Sequence, residues 1–267
     1  MTDMAVVAEP FRVGTCLSKS LAAFFKNFIS FNVIGLIVMV PGVLLIVLLF
    51  GNTFVALMTY DPATTAVPPD MGEAFGIAFL GAFAVMIVLQ YLLTGAIVYG
   101  ALQHLDGHKP SIVASLMQGL RRIIPIILVA IITTVLVWIG LVLLIVPGII
   151  IALMLCVAIP VVMVEGPGVL ASLSRSRALT KGSRWRLLGL LLIAFIGTTV
   201  LSMIVSTVVS VALVFVGSTG PLISTGIDVA MQLFTTVFLA VVLAVAYHDL
   251  RVAKEGVSTA QLAAVFD

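Results

Sequence analysis

PGVLASLSRSRALTKGSRWR, residues 167–186, sets five basic side chains, Arg175, Arg177, Lys181, Arg184 and Arg186, between two long apolar runs. Short loops between membrane spans that carry Lys and Arg stay in the cytoplasm, so this stretch fixes how a membrane chain is threaded. The composition around it agrees. Hydrophobic residues make up 62% and charged residues 9%, with a mean hydropathy of +1.33, whereas soluble domains carry about 25% charged residues. The chain is therefore expected to be an all-α polytopic membrane protein. Its net charge of +2 carries little information, because the position of Lys and Arg decides topology, not their balance against Asp and Glu.

Working outward, six spans can be read against a need for about 20 apolar residues to cross about 30 Å of hydrocarbon. They cover residues 28–50, 74–102, 123–146, 149–164, 185–216 and 221–247. Residues 51–73 hold three prolines and Asp61, Asp70 and Glu73 but no Lys or Arg, and are expected to form the outer loop. Residues 217–220 are a second outer turn, and 249–267 a cytoplasmic tail. From Ile123 to Val164 no residue is charged. One helix of that length would be about 63 Å long, twice the hydrocarbon core. Two spans joined at Pro147-Gly148 fit better, since Pro cannot continue a helix and Gly accepts positive φ. The second arm is short and contains Pro160, so this hairpin could stop short of the outer surface.

All 13 Lys and Arg then fall on one side. Arg12, Lys19 and Lys26 precede the first span; Lys109, Arg121 and Arg122 follow the second. The five of the central stretch follow the fourth, and Arg251 and Lys254 follow the sixth. Both termini are thus expected in the cytoplasm. The opening MTDMAVVAEP lacks the basic and apolar regions of a signal peptide and is expected to be retained. Neither a disulfide nor a metal site is expected of Cys16 and Cys156, and no cofactor or nucleic-acid partner is indicated.

Each outgoing span follows a short amphipathic segment. Ile112, Val113, Leu116, Met117 and Leu120 recur at helical spacing, as do Val13, Leu17, Leu21, Phe24, Phe25 and Phe28. Such segments read as interfacial helices. In the third, Arg177 falls on the face set by Val169, Leu170 and Leu173, where it would have to snorkel. PSIVASL (110–116) resembles PGVLASL (167–173). The pattern is an interfacial helix followed by a helical hairpin, three times in parallel.

Two groups of residues could carry function. Ser224, Asp228, Gln232 and Thr236 form a polar ridge on the sixth span, answered at the same spacing by Ser202, Ser206 and Ser210 on the fifth. Small and hydroxyl residues at such spacing glue helices together, yet a carboxylate within a span usually faces a cavity or partner. Counting from the outer turn puts Asp228 level with Ser210, and Gln232 level with Ser206. The central basic residues either mark topology only or attract anionic lipid head groups, at about 1 kcal/mol each near the surface. Three further groups read more blandly. His104 and His108 flank a loop, Glu165 partners the dipole of the following helix, and Tyr247-His248-Asp249 anchors the interface.

Residues 146–189, VPGIIIALMLCVAIPVVMVEGPGVLASLSRSRALTKGSRWRLLG, resemble the signature of the YciC-like bacterial inner-membrane proteins. These are related to the membrane domain that precedes the catalytic barrel of some glycerophosphodiester phosphodiesterases. The resemblance implies a six-span inner-membrane protein. It implies no catalytic activity, because residues 249–267 are far too few for a barrel of about 250 residues. The expected function is non-enzymatic: binding or organising anionic lipid, or a membrane partner, through the cytoplasmic basic helices. The alternative is a small transporter or channel that uses the ridge around Asp228.

Overall fold

A computed structural model describes residues 11–59, 73–213 and 220–255. All regular structure among them is α-helical, and six stretches are long and apolar enough to cross a membrane. The chain is an all-α integral membrane protein. In hydrocarbon each backbone N–H and C=O must be satisfied within the segment, which is why uninterrupted apolar runs become helices.

A short helix precedes two long ones three times over. Helices α1 (Val13–Lys26), α2 (Phe28–Thr59) and α3 (Glu73–Leu105) are followed by α4 (Ile112–Arg121), α5 (Ile123–Leu143) and a broken arm, α6 (Ile145–Leu155) plus α7 (Ala158–Val164). Helices α8 (Val169–Thr180), α9 (Arg184–Leu213) and α10 (Gly220–Glu255) complete the order. In space α2 lies on α3, α5 on α6, and α9 on α10. The four longest helices have 30–36 residues, about 45–54 Å at 1.5 Å per residue, so they tilt within the core or project beyond it.

The boundaries differ from expectation in three places. Helix α2 continues to Thr59, so the expected outer loop begins in helix; residues 60–72 lie outside the described set. Helix α10 runs past Tyr247 to Glu255, so the expected tail also begins in helix; residues 256–267 lie outside. Of the turn at 217–220, only Gly220 is described, as the first residue of α10.

The α5–α6 reversal is not at Pro147-Gly148. Leu144 alone breaks the helices, with φ −164° and ψ 144°, and both expected turn residues lie in the first turn of α6. Pro147 is tolerated there because first-turn N–H groups have no intrahelical acceptor. Gly148 serves close packing. A Cβ on it would lie 2.6 Å from the Leu141 side chain and 2.7 Å from the Leu141 amide nitrogen, and one on Gly140 would lie 2.8 Å from the Gly148 Cα. Pro160 does break the second arm, in the first turn of α7. Its missing N–H and its ring exclude the helical bond to the carbonyl of Cys156, and the chain turns at Cys156-Val157.

The core lies toward the end of the bundle that carries the basic residues. From Val237 to Leu250, α10 buries ten apolar side chains, against Ala96–Ala101 of α3, Val157–Met163 and Leu187 and Leu190 of α9. The opposite half is apolar but exposed, from Leu44 to Leu49 on α2 and from Ile77 to Val88 on α3. That pattern suits helices solvated by lipid chains.

The short helices turn small residues inward. Cys16, Ser20 and Ala23 of α1, Ser115 and Gly119 of α4, and Ser172, Ser176 and Thr180 of α8 are buried. The bulky residues divide: Phe24, Leu173 and Leu179 are buried in the core, whereas Val113 is 72% exposed, Leu120 58% and Leu170 74%. Arg177 is exposed on the same side as Leu170. In α8 the polar face has a definite partner. The break after α6 leaves the Met154 carbonyl without its helical donor, and Ser176 Oγ donates to it at 2.8 Å.

Candidate functional site

The basic end is tied together by ion pairs that the sequence reading missed. Glu165 ends α7; its carboxylate accepts from Arg175 Nε at 3.0 and 3.2 Å and from the Tyr247 hydroxyl at 2.9 Å. Arg175 also pairs with Glu255, which accepts from Arg251 at 3.1 Å. One guanidinium thus joins α7, α8 and α10. The hydrogen bond to Glu255, and then the contacts to Glu165, raise the Arg175 pKa above its ordinary value despite partial burial. Glu165 is an ion-pair partner here, not simply a dipole partner for α8. The signal available in the sequence was Tyr247, Arg251 and Glu255 at every fourth residue, continuing one face of α10 beyond the apolar run.

Further contacts complete this end. Lys19 of α1 pairs with Asp249 at 2.8 Å, and His248 Nδ1 lies 3.5 Å from the same carboxylate. Lys254 Nζ donates to the Ala178 carbonyl in the last turn of α8 at 2.6 Å. Tyr247, His248 and Asp249 therefore all serve inter-helix contacts or their support. Between α3, α4 and α10 lies a cavity of about 220 Å³. Its polar lining includes Tyr99, Gln103, Asp106, Gln118 and Arg251.

The five basic residues of the central stretch divide by role. Arg175 is committed to its two carboxylates. Arg177, Lys181 and Arg186 are exposed, and Arg186 also donates to the Phe11 carbonyl at 3.3 Å. Arg184 is different: its Nε is buried without a hydrogen-bond partner. The side chain lines a crevice of about 260 Å³ between α6 and α9, whose other walls are Val146, Ile149, Ile150, Leu153, Trp185 and Leu188. Trp185 is 75% exposed, an amphipathic ring at the helix start. A guanidinium beside an apolar slot can hold an anion at the slot's mouth while the slot holds a hydrocarbon chain.

The polar ridge does not act as one unit. The Ser206 hydroxyl donates to the Asp228 carboxylate, so Asp228 sits one turn away from the expected Ser210. Both residues lie toward the loosely packed half, and Asp228 is exposed. Ser224 is half-buried one turn earlier. Gln232 and Thr236 face elsewhere, into a crevice shared with α2 and α3.

Comparison with protein-family models, with curated proteins and with solved structures gave no match.

Proposed function

We propose that the protein is a non-enzymatic, lipid-binding protein of a bacterial inner membrane, crossing it as three hairpins with its basic end and both termini in the cytoplasm. Helices α1, α4 and α8 lie at the cytoplasmic interface, seating their small residues together with Phe24, Leu173 and Leu179 on the bundle and turning their remaining apolar residues toward lipid. An anionic phospholipid binds at the α8–α9 junction. Its phosphate sits on Arg184, with Lys181, Arg177 and Arg186 around it, and an acyl chain enters the α6–α9 crevice. The observation that carries this reading is the unpartnered Nε of Arg184 beside an otherwise apolar slot. A buried N–H donor without an acceptor is costly, and a phosphate supplies charge-assisted bonds. The sequence resemblance to YciC-like inner-membrane proteins is part of the same proposal.

Native mass spectrometry of the gently solubilised protein tests it. Wild type is expected to retain phosphatidylglycerol or cardiolipin, and Lys181→Gln/Arg184→Gln to lose it about tenfold, equivalent to about 1.4 kcal/mol. Lys109→Gln, on the same end but away from the crevice, is expected to change retention less than twofold. Equal losses from all these neutralisations would reduce the effect to general surface charge.

A further inference from the structure

A crevice of about 390 Å³ lies between α2, α3 and α10. Its walls are apolar and include the flexible side chains of Met39 and Met86. Close approach at one end is enforced by Gly35, where a Cβ would come 2.5 Å from Leu233. Three polar side chains break the apolar lining: Gln90, Gln232 and Thr236. Gln90 stands at the middle of α3, which runs from Glu73 to Leu105. In the proposed transmembrane placement that puts it near the centre of the hydrocarbon layer. Both glutamines are exposed, and neither side chain hydrogen-bonds to another of the described residues.

Two carboxamides facing hydrocarbon are expensive unless something satisfies them. Phospholipid ester carbonyls cannot, because they sit at the interface, about 15 Å from the bilayer centre. The partner must be apolar over most of its surface and carry hydrogen-bonding groups near the membrane midplane. We propose that this crevice binds a lipid-soluble quinone, its ring between α3 and α10 and its isoprenoid tail along α2. Quinone carbonyls accept from the Gln90 and Gln232 amide N–H groups. The reduced, diol form donates to their carbonyl oxygens, so a carboxamide suits both redox states. The crevice is within the size range of small-ligand sites, which are mostly apolar with a few convergent polar groups. The inference is independent of the lipid reading at the basic end.

The test uses the full chain in nanodiscs with a photoreactive decyl-benzoquinone as probe and decylubiquinone as competitor. Saturable labelling is expected on peptides of α2, α3 and α10, abolished by competitor, and at least tenfold weaker in Gln90→Leu/Gln232→Leu. Thr236→Val is expected to weaken labelling two- to fivefold and serves if the double variant does not fold. Labelling that never saturates, that phospholipid competes equally well, or that both variants leave unchanged would overturn the proposal. So would disulfide cross-linking of two copies through Gln232→Cys, which would give this face to a second copy of the chain.

Discussion

Gly148→Leu is expected to destabilise the protein by at least about 2 kcal/mol, the upper range for forcing volume into a close-packed contact. The reason is geometric. At the α5–α6 crossing a Cβ on Gly148 meets the backbone of Leu141 at 2.7 Å, and one on Gly140 meets the Gly148 Cα. Backbone cannot rotate away as a side-chain tip can, so the two helices must separate. Separation moves α6, and with it the Met154 carbonyl that Ser176 caps and the crevice that Arg184 lines. The variant should therefore lose retained lipid as well as thermal stability, measured by size-exclusion after heating in detergent. Gly81→Ala is the control: nothing lies within 4 Å of the added carbon. It should be neutral or gain a few tenths to 1 kcal/mol, since Gly is the poorer helix former. Equal behaviour of the two variants would show that α5 and α6 do not meet at these glycines.

Arg175→Ala carries the second large effect, about 1–2 kcal/mol. That value lies between exposed ion pairs, worth about 0–1 kcal/mol, and broken buried pairs, worth about 3–5 kcal/mol. The Arg175 side chain is 31% exposed and Glu165 21%, so solvent screening rules out the upper figure. Removing the guanidinium leaves two carboxylates facing one space on α7 and α10. The cost should shrink by more than half in a Glu165→Gln/Glu255→Gln background, the signature of direct coupling in a mutant cycle. It should also fall in 1 M salt, where the Debye length is about 3 Å. A cost independent of both would place the effect in packing of the Arg175 stem, not in charge.

The helical class and the six spans were legible because hydrocarbon imposes one dominant rule: long uncharged runs must close their own hydrogen bonds. The exact turn was not. Val-Pro-Gly occurs twice; Val40-Pro41-Gly42 lies inside the continuous helix α2, whereas Val146-Pro147-Gly148 opens α6. The tripeptide tolerates a helix start and a close crossing alike, and only the neighbouring helix decides which. The helix ends were also hidden, because α10 continues beyond its apolar run on ion pairs and not on hydropathy. Arg175 read as one of five equivalent cations, since its partners sit on other helices: Glu165 ends α7, ten residues before it across the turn into α8, and Glu255 is eighty residues away on α10. The separate status of Arg184 depends on α6 lying against α9, which no periodicity reveals. Asp228 stood out as a carboxylate in a long apolar helix, but it pairs with Ser206, one turn from the Ser210 that counting from the outer turn puts level with it.

The proposed placement of all the basic residues on one membrane face underlies the proposed lipid site, and impermeant-maleimide labelling of single cysteines in spheroplasts tests it most directly. A Cys156→Ala background suffices, because the Cys16 thiol is buried and desolvation pushes its pKa up to about 12, leaving almost no reactive thiolate. Ala63→Cys, in the expected outer loop and outside the described residues, should label in intact spheroplasts. His108→Cys and Lys181→Cys, both exposed at the basic end, should label only after the membrane is opened. Labelling of Lys181→Cys from outside, or of Ala63→Cys and Lys181→Cys from the same side, would contradict the cytoplasmic placement and with it the proposed lipid site.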